Sequence, residues 1–184
     1  PDASDFRTEA FMLRVLATRS PLPVPAVLHA DRDLLILEYI DHAGSLDREG
    51  ETRAGELLAE LHGIGGESFG FERDTLIGPF VLPNPSTSSW IEFFRDHRLL
   101  HFADLARRAV RIESHLHDRI RALADVLPGI LNEPAHPSLV HGDVWSGNVL
   151  ARRGELAAFI DPAISYAHPE IELAFIGLFS TFSR

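Results

Sequence analysis

Apolar side chains repeat along this chain with two different periods, and the switches between them mark out its elements. Over residues 5–18, Phe6, Ala10, Leu13 and Ala17 fall on one face, widened by Phe11, Val15 and Leu16, which predicts a helix. Ser20-Pro21-Leu22-Pro23-Val24-Pro25 ends it, because proline cannot continue the hydrogen-bond ladder. Residues 26–30 and 34–40 are β-prone runs on either side of Asp31-Arg32-Asp33, the signal of a hairpin. A second helix is expected over residues 52–62, with Ala54, Leu57, Leu58 and Leu61 facing inward. Gly63, Gly65 and Gly66 stop it and lead into a loop over residues 66–88. Ser89-Trp90-Ile91-Glu92 has the spacing of a capping box and opens a helix to about residue 108. Another helix is expected over about 111–127, with Ile112, Leu116, Ile120 and Leu123 in register. His168-Pro169-Glu170 starts the last helix, where Glu170 and Glu172 suit the positive helix end.

Between Leu139-Val140 and Val149-Leu150 the apolar pattern breaks at His141-Gly142-Asp143-Val144-Trp145-Ser146-Gly147-Asn148. A further apolar run, residues 157–160, leads into Asp161-Pro162. A carboxylate, an amide five residues on and a second carboxylate thirteen further on suit phosphoryl transfer. In such sites the first acid takes the proton of the attacking hydroxyl. The amide and the second acid hold the magnesium ions that bridge the nucleotide phosphates. Magnesium wants hard oxygen ligands, one or two from protein and the rest from phosphate and water. The alternative is a polar turn in which Asp143 and Asn148 cap backbone groups.

Glu9 on the first helix is placed either to pair with a phosphate-steadying lysine or to stay solvated. The run Leu34 to Asp41 leaves its strand where a kinase-like chain crosses between lobes. There the carbonyl of Glu38 and the amide of Ile40 would meet an adenine ring, unless this is an ordinary strand end. His97 and His101 stand one turn apart, but no carboxylate completes a zinc pattern, and His115 and His117 diverge.

Composition narrows the class. With 184 residues the chain holds one large domain or one and a half small ones, and 45% hydrophobic residues suffice for a core. A formal net charge of −10 argues against nucleic acid or an anionic membrane as partner. There is no cysteine, no apolar run of membrane-spanning length and no signal-peptide pattern, so a cytoplasmic setting is expected. The oligomeric state is left open. The first residue is Pro, and an apolar helix face reaches almost to Arg184, so more chain is expected on both sides.

With these residues in view, the chain resembles the fructosamine kinase (ketosamine 3-kinase) family, within the aminoglycoside-phosphotransferase-like kinases. The resemblance is carried by His141 to Val149, by Ile160-Asp161-Pro162-Ala163 through Tyr166-Ala167-His168-Pro169-Glu170 to Ala174, and more weakly by Leu58 to His62, Phe69-Gly70-Phe71 and Glu38 to Asp41. It implies an α+β, protein-kinase-like fold. Residues 41–184 would form a mostly helical C-lobe, and residues 1–40 a truncated N-lobe remnant of one helix plus a hairpin. It implies an enzyme that moves phosphate from ATP, with Mg2+, to a sugar hydroxyl of a free or protein-bound ketosamine. Asp143 resembles the catalytic base, His141 a brace of its loop, Asn148 and Asp161 the magnesium ligands, and Glu9 the lysine's partner. Trp145, Tyr166, His168 and Glu170 resemble sugar-pocket residues, although Trp145 also suits a loop anchor. An aminoglycoside- or choline-like acceptor, or a non-catalytic nucleotide-binding module, is the alternative. The departure from the family pattern is that no glycine-rich phosphate loop and no strand lysine precede the first helix; both are expected upstream of Pro1.

Overall fold

The computed structural model describes residues 5–182, so the outermost residues of the two expected units lie outside it. Asp5 caps α1 (Phe6–Arg19) by accepting from the Arg7 N–H at 3.0 Å. β1 (Val27–Ala30) and β2 (Leu35–Leu37) pair antiparallel around a turn in which the Asp31 carboxylate accepts from the N–H groups of Asp33 and Leu34. α2 (Arg48–His62) begins at Arg48 rather than at the expected Thr52, because Asp47 caps it, accepting from the Gly50 N–H at 2.9 Å.

The stretch expected to be loop over residues 66–88 contains a hairpin, β3 (Thr75–Ile77) paired with β4 (Phe80–Leu82). Its strands are short runs of good β-formers around Gly78-Pro79, hidden among loop-type residues. The next helix is one rod in three parts: α3 (Trp90–Phe94), a π-helical turn (Arg95–Leu99) and α4 (Leu100–Arg108). Half of its capping box forms, with Ser89 Oγ accepting from the Glu92 N–H at 3.2 Å. The carboxylate that caps this helix is Glu133, which accepts from Ser89 Oγ at 2.6 Å and from the Trp90 N–H at 2.7 Å. α5 (Ser114–Val126) starts later than expected, after a left-handed Val110 (φ 55°) has broken the rod.

β5 (Ser138–Val140) pairs antiparallel with β8 (Ser165–Ala167), and β6 (Val149–Arg152) with β7 (Glu155–Phe159); α6 (Pro169–Leu178) follows. Among the described residues every sheet is thus a two-stranded ribbon. Met12, Val15 and Leu16 of α1 share the main core with Leu57, Leu58 and Leu61 of α2 and with Leu139, Val144, Phe159 and Ile164. Phe69, Trp90, Phe93, Val140 and Ala167 form a second cluster. Successive residues of a strand point to opposite faces, so β5 places Leu139 in one cluster and Val140 in the other. At roughly 1.5–3 kcal/mol for each large side chain removed from water, this doubly packed strand is a firm base for the polar loop that leaves it. Among the described residues no helix is long and apolar enough to cross a membrane.

Candidate functional site at the end of the doubly packed strand

His141, the first residue past β5, is fully buried against Phe159, with ring centroids 5.7 Å apart. Its Nδ1 accepts from the Asp143 N–H at 3.3 Å, which leaves the proton of the neutral ring on Nε2. That nitrogen is enclosed without a hydrogen-bond partner of good geometry. Burial holds the imidazole below its ordinary pKa, against the opposing charges of Glu172 and Asp161 and the Ile160 backbone.

Gly142 follows at φ 87°, and a Cβ there would lie 2.2 Å from the Ala163 carbonyl oxygen. The approach is that close because the Ala163 N–H donates to the His141 carbonyl at 2.7 Å. Asn148 donates Nδ2 to the Asp143 carboxylate at 2.8 Å and to its carbonyl at 2.9 Å, closing the loop on itself. Its own carbonyl accepts from the Ile160 N–H at 3.0 Å, which brings the end of β7 and then Asp161 alongside. Asp161 takes a left-handed backbone, φ 50°, uncommon outside glycine and often met at functional positions.

These residues surround one cavity of about 350 Å³, lined by Asp143, Trp145, Asn148 and Asp161 together with Glu9 and Met12 of α1. The β3–β4 hairpin adds Leu76 and Gly78 to its wall. Burial raises the Asp143 carboxyl above its usual value, reinforced by the charges of Asp161 and Glu172 and opposed by the hydrogen bond from Asn148. Glu9 is pushed up to about 7, first by burial and then by the charge of Asp161 and a hydrogen bond with it. Trp145 is 41% exposed, with its ring over Gly147.

Other residues singled out in the sequence lie elsewhere. The Tyr166 ring stacks on Phe71 at 5.5 Å and covers Gly66, inside the fold. His168 caps α6, accepting from the Glu170 N–H at 3.2 Å. His168 and Glu170 line a separate cavity of about 300 Å³ beside Trp90 and Phe94. Glu38 pairs with Ala26 through its N–H and Oε2, and the Ile40 carbonyl accepts from His42 Nδ1. Neither lines the cavity of Asp143. His97 packs on Phe93, and His101 Nε2 meets the Val81 carbonyl at 3.1 Å. Two residues matter more than their sequence context suggested. Glu172, read as a helix-dipole partner, is buried against the Asp143 loop, and His62, the last residue of α2, meets it. The signal for Glu172 was its helical register with Phe175 and Ile176, which carries an acid onto an apolar face.

Among the described residues no group of three or more His, Asp or Glu is arranged to hold a metal unaided. The oxygen donors of Asp161 and of the Asn148 amide, whose nitrogen is committed to Asp143, fit magnesium that draws its remaining ligands from phosphate and water. Three carboxyl groups around one small cavity also favour a cation there.

A family model for fructosamine kinase matches residues 2–184. The chain is 36% identical to a probable ketoamine kinase of Synechocystis sp., over 96% of this chain and 60% of that protein. It is 33% identical to the chloroplastic protein-ribulosamine 3-kinase of Arabidopsis thaliana, over 91% of this chain and 53% of that one. It therefore spans between half and three-fifths of the length of these curated relatives. The crystal structure of a candidate fructosamine-3-kinase from Thermobifida fusca superposes with a TM-score of 0.85 at 34% identity, covering 95% of this chain and 60% of that one. The aminoglycoside phosphotransferase APH(4)-Ia, at 17% identity and a TM-score of 0.65 over 92% of this chain and 60% of its own, shares the α+β, protein-kinase-like fold. By sequence and by fold alike, this chain belongs to the fructosamine kinase family.

Proposed function

We propose that this chain carries the catalytic loop of an ATP-dependent kinase whose acceptor is a sugar hydroxyl of a ketosamine, a ribulosamine or fructosamine adduct on lysine. The observation that carries the reading is that Asp143, Asn148 and Asp161 share one cavity with Trp145 and Glu9. Asp143, raised above its usual pKa and held by Asn148, receives the acceptor's proton as its oxygen bonds to the γ-phosphorus and the bond to ADP breaks. Asn148 and Asp161 hold magnesium, which when bound offsets the charge of the phosphates. Trp145 offers a flat apolar wall to the sugar. Glu9 serves as partner to a phosphate-steadying lysine, and the backbone of Glu38 and Ile40 meets the adenine. The ketosamine acceptor is suggested by the names of the relatives. Tyr166, His168 and Glu170 do not line this cavity.

The test is phosphate transfer from labelled ATP to ribulose-lysine by the full-length protein, beside a panel of aminoglycosides and choline-like alcohols. Transfer to the ketosamine supports the reading. Transfer only to other alcohols replaces its substrate, and nucleotide binding without transfer to any acceptor replaces it with a binding module.

A further inference from the structure

We infer that Arg98, Asn84 and Thr75 form a positioning chain that sets the β3–β4 wall of the Asp143 cavity and thereby the fit of the acceptor. None of the three lines the cavity. Arg98 is in the π-helical turn of the long rod, Asn84 follows β4, and Thr75 opens β3. Arg98 Nη2 donates to Asn84 Oδ1 at 2.6 Å. Asn84 Nδ2 donates in turn to Thr75 Oγ1 at 2.8 Å and to the Arg73 carbonyl at 3.2 Å. The Thr75 hydroxyl, fully buried, gives its own hydrogen to the Ile164 carbonyl at 3.1 Å.

The direction of this chain is fixed from its charged end. A guanidinium can only donate, so Asn84 turns its oxygen to Arg98 and its nitrogen to Thr75, whose hydroxyl is left to donate to Ile164. Arg98 is itself held in place. Its Nη1 donates to the carbonyls of Pro83 at 2.8 Å and His97 at 2.9 Å, and its guanidinium lies 4.4 Å from the centre of the Phe93 ring. The π-turn that carries it is a break in α register of the kind frequent at functional sites. At the other end, Ile164 follows Ala163, whose N–H holds the His141 carbonyl. The chain therefore ties the hairpin to the segment that also braces the catalytic loop. Leu76 comes directly after Thr75, and Leu76 and Gly78 are the hairpin's share of the cavity wall. In the kinase reading Asp143, Asn148, Asp161 and Glu9 serve the proton, the ion and the lysine, which leaves Leu76 and Gly78, with Trp145, to face the acceptor.

This inference rests on the kinase reading for its effect on the acceptor, but the chain itself can be tested apart from activity. In the full-length protein, Thr75→Val, close in shape but without the hydroxyl, should raise the KM for ribulose-lysine, or for whichever panel alcohol is accepted, about tenfold. The KM for ATP should stay within about twofold. Arg98→Met, which removes the donors at the far end of the chain, should do the same. Thr75→Ser, which keeps the hydroxyl, should hold the acceptor's KM within about threefold of the wild type. Hydrogen exchange of the backbone amides at residues 75–82 should quicken about tenfold in Thr75→Val and Arg98→Met. A native acceptor KM in either variant would overturn the inference, as would an equal rise in the KM for ATP or a Thr75→Ser variant as impaired as Thr75→Val. If Arg98→Met does not fold, Thr75→Val against Thr75→Ser decides in the same terms. If the wild type transfers phosphate to no acceptor, the kinase reading fails, and the exchange of residues 75–82 alone upholds or overturns the chain.

Discussion

Asn148 gives both hydrogens of its amide nitrogen to Asp143, one to the carboxylate at 2.8 Å and one to the backbone carbonyl at 2.9 Å. One side chain therefore fixes the direction of the other's carboxylate and leaves its own amide oxygen as the end available to a cation.

Removing the acid should separate chemistry from binding. Asp143→Ala in the full-length protein is expected to lower turnover about 10²–10⁴-fold, the usual worth of a positioned general base. Steady-state transfer measures it; unchanged turnover would take the role away from Asp143.

Asp161→Ala should abolish the magnesium dependence of nucleotide binding, because it removes the carboxylate of the two-residue donor set proposed for the ion. Calorimetric titration of an ATP analogue with and without magnesium reads this directly. A variant whose affinity still responds to magnesium as the wild type does would count against it.

The raised Glu9 carboxyl has a consequence for stability. Between pH 4.5, where a free glutamate ionises, and about 7 the unfolded chain gives up a proton that the folded chain keeps. Stability therefore falls as pH rises through that window and levels off above it. Glu9→Gln should remove this part of the slope, about 1 kcal/mol once screening of a half-buried group is allowed for. Urea unfolding at several pH values would show it.

His141 tilts the curve the other way. Its lowered pKa means that below 6.5 the unfolded chain takes up a proton which the folded chain refuses, so this contribution is whole above 6.5 and lost on acidification. His141→Phe, of similar bulk but without a titrating nitrogen, should lose less stability than the wild type between pH 6.5 and about 5. An equal loss in both would remove His141 as the cause.

Gly142→Ala should cost about 2 kcal/mol or more, since it sets a side chain at φ 87° and 2.2 Å from the Ala163 carbonyl oxygen. A melting temperature equal to the wild type's would show that the loop gives way more easily than its contacts imply.

Local chemistry made much of the molecule legible in the sequence. The helices announced themselves through three- and four-residue spacing, and the loop from His141 to Asn148 through the polar break between apolar strands. What escaped was set by tertiary contact. Strands β3 and β4 are too short to show a period, so Leu76 and Gly78 gave no sign of lying beside Asp143. Glu172 has the same charge and nearly the same place on α6 as Glu170, yet one turns to the core and the other to a surface cavity. Tyr166 sits within the strongest motif, but alternation along β8 sends its ring to Phe71 and Gly66. Helix and strand periods report which residues face inward, not which inward-facing residues meet.

Among the described residues each named sheet is two strands wide, but β5 and β8 each carry one further backbone bridge, Ser138 to Gly65 and Tyr166 to Gly70. The β3–β4 ribbon has no such bridge, so a slip or an insertion there has no third strand to carry it onward. A change of length at the β3–β4 tip would therefore leave the register of the β5–β8 ribbon beneath Asp143 undisturbed. That independence would let the cavity wall made by Leu76 and Gly78 vary without disturbing the loop that carries Asp143.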